Sequence, residues 1–367
     1  MWVMNVTYSR PLHREFLKAF RLAMALLIWL VPPLFGLLVT FDLPGLFTSR
    51  WHGIIYAVAA VYAALCLYVG GVVVPYITLR RLLRRRPRVI RNQTTHTFDL
   101  EKELGERRLG DGKYRWLAAL PGNQVFHVDF TTLTLALPDL PPEWDGLTIL
   151  HLSDLHFIGT PSRAYYEWIV RRCMTGGVPD VLALTGDIVD TDHHHRWIIP
   201  LLGRLRWKEA ALAILGNHDF WYDTEKVRRR LRRLKMHVLG NRWEVVPIRG
   251  VPAPVIGHEG PWFRPEPNLT GCPDTPFRIC LSHTPDNIEW CKRNNVRLML
   301  SGHVHGGQIR LPLFGSIFVP SWYSRRYDMG TFHEGPTVLH VSRGLSGKEP
   351  LRFHCNPQVA RIVLERA

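Results

Sequence analysis

Five separated segments of the chain are rich in metal-ligating side chains. In order they are Asp154-Leu-His156, Gly186-Asp187, Gly216-Asn217-His218-Asp219, His283 and Gly302-His303-Val-His305. A carboxylate and an imidazole two residues apart, as in Asp154 and His156, can both face one cation if the backbone bends between them. Asp187, in a Gly-Asp turn, supplies a second carboxylate able to bridge two cations, and a bridging negative charge offsets part of the repulsion between two dications. Asn217 offers a neutral amide oxygen, and His283, His303 and His305 offer neutral imidazoles. The set holds oxygen and nitrogen donors with no thiolate, which suits Mn, Fe or Zn and argues against an iron–sulfur cluster. Two such ions, about 3.5–4 Å apart, lower the pKa of a shared water towards neutrality and clamp both oxygens of an in-line phosphoryl displacement. The expected chemistry is hydrolysis of a phosphate ester or anhydride with two divalent metal ions as cofactors, Mn²⁺ favoured.

Such ligands need rigid elements behind them. Apolar, partly β-branched runs precede the first three segments: Leu147-Thr-Ile-Leu-His-Leu152, Val181-Leu-Ala-Leu184 and Leu212-Ala-Ile-Leu215. Each reads as a buried strand with its ligands at the C-terminal end, where open α/β sheets build their sites. Arg278-Ile-Cys-Leu-Ser282 and Leu298-Met-Leu-Ser301 do the same for the later ligands, and Thr337–Val341 and Val359–Leu364 read as closing strands. The core is expected to begin near Gln124, with Val125–Phe130 and Leu133–Leu137 as two strands. The pattern predicts an α/β fold in which two sheets pack as a sandwich flanked by helices.

Taken together, the segments resemble the calcineurin-like metallophosphoesterases, whose D-x-H, G-D, G-N-H-D, H and G-H-x-H pattern is complete and in order over residues 120–367. The resemblance implies that Asp154, His156, Asp187 and His305 hold one metal and that Asp187, Asn217, His283 and His303 hold the other. It makes His218 the non-ligand histidine, a catalytic group near the leaving-group oxygen, with Asp219 or Asp154 as its orienting partner. The downstream Gly306-Gly-Gln308-Ile-Arg310-Leu-Pro312, Val319-Pro-Ser321 and Val341-Ser-Arg-Gly-Leu345 look like a membrane-associated bacterial branch of that family. That branch includes phosphodiesterases and the UDP-diacylglucosamine pyrophosphate hydrolases of lipid A synthesis. Competing readings are a general phosphodiesterase, a protein phosphatase, or a catalytically silent membrane scaffold.

Residues 1–91 read as a membrane anchor. Leu22–Phe41 and Gly53–Leu79 lack charged side chains, and each is long enough to cross a bilayer. Pro32-Pro33 is expected to kink the first span. Arg10, Arg14, Lys18 and Arg21 precede this hairpin, Arg80 to Arg91 follow it, and the connection carries only Arg50. The positive-inside rule then puts both ends, and the catalytic domain, in the cytoplasm at the cell membrane. The formal net charge of +15 is assigned to an anionic lipid surface as partner, with no nucleic acid expected, because no nucleic-acid-binding motif accompanies it. Six cysteines without C-x-x-C spacing imply neither a zinc cage nor a disulfide framework.

Residues 92–119 are polar and mixed in charge and read as a linker, followed by the metallophosphoesterase domain over 120–367. Three stretches inside that domain are open in role. His193-His194-His195 reads as exposed loop imidazoles. Lys226 to Lys235 places Val227, Leu231 and Leu234 at helical spacing with arginines on the other faces. Leu311 to Gly330, carrying Phe314, Phe318, Trp322, Tyr323 and Tyr327, is expected either to offer apolar contact to an acyl chain or to pack on the core. A phosphorylated, lipid-linked substrate is the expectation these features support jointly.

Overall fold

The computed structural model describes residues 2–40 and 49–367. It divides into two compact units, residues 12–86 and, as the second, residues 1–11 together with 87–367.

The smaller unit is helical: α2 (Arg14–Thr40), α3 (Ser49–Tyr68), a five-residue π-turn at Val69–Val73, and α4 (Val74–Leu82). Helix α2 runs through Pro32 and Pro33 without interruption. The π-turn falls on Gly70 and Gly71, where no side chain resists the local widening. Glu15–Leu37 and Tyr56–Leu82 are long and apolar enough to cross a membrane, with mean hydropathy of 1.9 and 2.3 over an 18-residue stretch of each in which no residue is buried. Phe41, the expected end of the first span, lies outside the described residues.

In the larger unit two mixed sheets face each other. The first runs β1 (Ile90–Asp99), β2 (His127–Leu137), β15 (Gln358–Arg366), β3 (Leu147–Leu152), β4 (Val181–Thr185), β5 (Ala210–Ile214), β6 (His237–Val238). The second runs β13 (Gly330–Glu334), β14 (Thr337–Val341), β10 (Leu298–Ser301), β9 (Ile279–Ser282), β8 (Val251–His258), β7 (Trp243–Ile248). A separate hairpin joins β11 (Arg310–Leu311) to β12 (Gly315–Ser316). Alternation along each strand sorts the core. Leu147 and Ile149 point between the sheets with Leu212, Val255, Leu281, Leu300 and Ile362, whereas Leu150 and Leu152 point outward under Tyr165, Ile169 and Leu201. Strands β3, β4 and β5 are parallel neighbours, as are β9 and β10, so their C-terminal ends meet at one edge of the sandwich.

Three expectations need correction. The segment expected to be a linker begins with most of an edge strand, β1, paired antiparallel with β2, with Thr97 Oγ1 donating to Asp129 at 2.6 Å. Leu100 is wholly buried beyond it. The two strands expected at 125–130 and 133–137 are one continuous strand, β2, because the polar Thr131 and Thr132 simply continue its alternation. Finally, helix α1 (Trp2–Tyr8), expected to be part of the anchor, belongs to the larger unit and not to the helical one. Its Asn5 is 1% exposed; the side-chain oxygen accepts from Val319 N at 3.0 Å and the amide donates to Ser324 Oγ at 2.7 Å.

Candidate metal centre

Five loops leave the C-terminal ends of β3, β4, β5, β9 and β10, and each turns sharply to bring its ligands back across the strand ends. Asp154, His156, Asp187, His303 and His305 all have positive φ, between 46° and 70°. For residues with a Cβ this conformation is strained, on the order of 1–3 kcal/mol each, and it concentrates where function requires it. Glycines make the crowding possible. A Cβ on Gly186 would lie 2.6 Å from Gly216 N and 2.8 Å from His283 Nδ1, and one on Gly302 would collide with Ser153 and Asp154.

Asp154, His156, Asp187 and His305 present ligand atoms all within 4.8 Å of one another, and Asp187, His283 and His303 form a second such group. Asp187 belongs to both. Its Oδ2 lies 3.6 Å from His156 Nε2 and its Oδ1 lies 3.4 Å from His283 Nε2. Asn217 Oδ1 joins the second group, 2.9 Å from His283 Nε2. The other ring nitrogen of each histidine is held from behind, which fixes the nitrogen left facing the centre. His156 Nδ1 pairs with Asp190 at 2.8 Å, His283 Nδ1 with the Thr185 carbonyl at 2.8 Å, and His305 Nδ1 with the Ser346 carbonyl at 3.0 Å. The His303 ring bonds the Pro320 carbonyl.

The residues fit a pair of divalent cations on two counts. Asp187 Oδ2 and His303 Nε2 are buried with no hydrogen-bond partner among the described residues, a costly condition for polar atoms unless a cation meets them. The donor set is oxygen and imidazole nitrogen, as hard and borderline divalent ions prefer. Charge tells the same story. Burial works against the protonated rings of His156 and His283, yet the neighbouring Asp190 and Asp187 hold both up at about 9. Burial by itself would raise Asp187, but the His283 and His218 rings hold its carboxyl well below the usual range. Cations held at these atoms would replace the protons in balancing the carboxylates, so metal binding would release protons.

His218 is in neither of those two groups but falls in a third, with His156 and Asp190. Its backbone N–H donates to Asp187 Oδ1 at 2.8 Å, its ring packs 4.7 Å from that of His156, and its Nδ1 bonds Asp190 Oδ1. Side-chain exposure is 16% for His218 and 12% for His305, against 0–1% for Asp154, His156, Asp187 and His283, so the centre opens on their side. Trp221 lies against His218, giving the opening an aromatic wall, while the buried Trp262 packs against His303 and His283.

Asp219 is not the orienting partner. Its two oxygens accept from the backbone N–H groups of Ile188, Val189 and Gly216, which tie the β4 and β5 loops together. Burial and Asp187 nevertheless push its carboxyl up to about 7. Asp154 likewise accepts from His303 N at 3.0 Å and does not serve His218. The partner is Asp190, whose two oxygens separately engage His156 and His218. Burial favours its neutral form, but those two rings pull it below the ordinary carboxylate range. Its signal in the sequence was its place three residues after Asp187, on the same loop. Arg352, wholly buried, had no such signal: its guanidinium donates to the carbonyls of His305, Arg343 and Ser346 at 3.1, 2.7 and 2.5 Å, so it fixes the backbone on both sides of the His305 ring.

The remaining stretches divide. His195 is buried, contrary to the expected exposed loop. The basic run forms a helix, Thr224–Arg233, seated on Val227 and Leu231; Arg228 turns inward to the buried Glu259 at 2.5 Å, and Glu259 accepts from Leu215 N beside the Asn217 loop. In the aromatic segment Tyr327 is buried and Phe318 and Tyr323 are half-buried, while Phe314 and Trp322 are exposed.

Residues 147–307 match the sequence profile of the calcineurin-like phosphoesterases. The chain is 30% identical to a metallophosphoesterase, YkuE, of Bacillus subtilis, over 65% of this chain and 86% of that protein. It is also 30% identical to the phosphodiesterase YaeI of Escherichia coli, over 59% of this chain and 81% of that one. A transmembrane protein with a metallophosphoesterase domain from Bos taurus is 26% identical over 65% of this chain and 57% of its own length.

Proposed function

Since the chain belongs to the calcineurin-like phosphoesterases and is a phosphoester hydrolase by that membership, we propose that it is a membrane-anchored enzyme that cleaves a phosphodiester or pyrophosphate bond in a lipid-linked substrate. The observation that carries the reaction is Asp187, one carboxylate shared by two groups of ligand atoms. Asp154, His156 and His305 complete one site; Asn217, His283 and His303 complete the other. When bound, two divalent ions supply Lewis-acid polarisation of the phosphoryl oxygens and an activated water.

The chain's own residues do the rest. Asp190 anchors His218 through Nδ1 and leaves Nε2 as the nitrogen that delivers a proton to the leaving-group oxygen. Trp221 narrows the opening beside His218, and Trp262 shields the His283 and His303 rings from water. Strained, over-determined loops hold the ligand atoms in place before substrate arrives, so little reorganisation remains for the reaction itself.

Membrane attachment is supported by the two apolar helices. A same-side topology is supported by the division of the chain: residues 1–11 and 87–367 form one unit, which an even number of crossings between them keeps on one face. The arginines flanking that segment favour the cytoplasmic face. A tethered enzyme meets a membrane-bound substrate at raised effective concentration, and a UDP-linked diacylglucosamine split to a lipid monophosphate and UMP is the specific case the resemblance favours. The test is kcat/KM of the full chain in mixed micelles on acylated and deacylated versions of one phosphodiester or sugar nucleotide, with metal content measured in parallel. Preference for the acylated form supports the lipid reading; equal efficiency leaves a soluble phosphodiester as the substrate. Full turnover in a strong chelator removes the metal mechanism.

A further inference from the structure

The β11–β12 hairpin follows the last ligand, His305, and its base is firmly held. Arg310 is 4% exposed and donates to Asp328 at 2.8 Å and to the Gly306 carbonyl at 2.6 Å; Ser316 Oγ bonds the same Asp328 at 2.8 Å. Beyond that base the side chains have the opposite character. Leu311, Leu313, Phe314 and Ile317 are 49, 68, 43 and 37% exposed, and Trp322 is 50% exposed. In the catalytic unit the other exposed large apolar residues of the described chain come singly or in twos, as at Val178, Phe220 and Val245, at Trp116 and Leu120, and at Trp2 and Val3 on α1. Single exposed hydrophobics are ordinary; a cluster on a well-anchored projection marks an interaction surface.

The same segment carries cations and is tied to the start of the chain. Arg325 donates to the carbonyls of Phe314 and Ser316, both at 3.1 Å, and Arg10 lies over the Trp322 ring at 5.2 Å. Asn5 and the Tyr8–Phe318 ring contact at 5.4 Å fasten α1 to the segment. The first candidate span begins at Glu15, five residues after Arg10. Five residues of extended chain reach at most about 18 Å, so the N-terminal end of that span, whose charge-free part starts at Leu22, lies within this reach of Arg10. Apolar side chains beside tryptophan and arginine are the composition that lipid interfaces select.

We propose that the hairpin tip, Leu311 to Ile317, with Trp322, is a membrane-docking surface: its apolar side chains enter the acyl region of the bilayer while Arg10 and Arg325 meet anionic headgroups. The occupant is lipid, and the proposal rests on the membrane-anchored reading above. Docking there fixes the catalytic unit against the bilayer by a second point besides the covalent tether.

The test uses the full chain in vesicles of phosphatidylcholine and phosphatidylglycerol, with the photoreactive analogue p-benzoylphenylalanine placed singly at Phe314, at Val178, at Val245 or at Val61. After irradiation, phospholipid adducts are counted by peptide mass spectrometry. The expected result is a phospholipid adduct from position 314 at least tenfold above positions 178 and 245, together with an adduct from position 61 in the second span, and loss of most of the signal at 314 when Leu313→Asp is added. Adducts from 61 with none above background from 314 overturn the docking surface and leave the anchor standing. No lipid adduct from either position overturns both. Crosslinking of 314 to a second copy of the chain overturns the lipid assignment in favour of a self-association surface.

Discussion

Because Asp187 is common to both ligand groups, its removal acts on both ions at once. Asp187→Ala is expected to lose both metals and all measurable turnover together, read by elemental analysis beside a phosphodiesterase assay. Retention of both ions would contradict the shared-carboxylate geometry. His218→Ala is expected to keep both metals and lose about 10²–10⁴-fold in kcat, the scale of one proton-transfer group, with a smaller loss on p-nitrophenyl esters, whose leaving group needs little protonation. A collapse of metal content would make His218 a ligand. Asp190→Asn touches both: it should weaken the site holding His156 by about 10–100-fold, as loss of an orienting hydrogen bond to a metal ligand does, and also lower kcat. The ligand types and their order could be read from the chain because metal chemistry restricts which side chains serve. The hydrogen-bonded layer behind them could not: Asp190 and Asp219 are both acids beside a motif, and only the folded loops decide that one faces His218 and the other the backbone.

The elements that carry the ligands were legible for a related reason. Strands β3, β4, β5, β9 and β10 are short, almost wholly buried and bounded by glycine or polar turns, so apolar runs gave them away. Strand β1 hid because it is an edge strand with seven consecutive exposed residues, Arg91 to Thr97, and its sequence holds no apolar alternation. Helix α1 hid because seven residues ahead of a long apolar stretch read as part of the same anchor, and one buried asparagine is invisible to hydropathy. That asparagine makes a prediction. Asn5→Ala strips the acceptor from the buried Val319 N–H, a loss of about 1–3 kcal/mol, which lowers Tm by roughly 2–10 °C in a unit of this size and speeds limited proteolysis within 311–330. Unchanged Tm and unchanged cleavage would show that α1 does not brace this segment. By the same reasoning a chain beginning at residue 92 lacks α1 and the first residues of β1 and should be less stable than the full catalytic unit.

For the molecule as a whole, the membership of residues 1–11 and 87–367 in one unit makes an even number of crossings between them the expected topology. Reporter fusions at the N-terminus and after Ala367 should therefore agree with each other, and the basic flanks predict that both read cytoplasmic. A disagreement between the two ends would break the unit's integrity, whereas agreement on the opposite face would break only the charge argument. The place of β15 in the first sheet has a consequence for biogenesis. This strand is the last in chain order among the described residues, yet it lies in the interior of its sheet, parallel to β2 and antiparallel to β3. At about 5–20 residues per second of synthesis, β2 and β3 wait many seconds for the strand that must separate them. The two apolar helices have meanwhile emerged long before. The N-terminal helices are thus complete while the catalytic half is still unpaired, and early direct contact between β2 and β3 is the misfolding event that ribosome-bound chaperones would have to prevent.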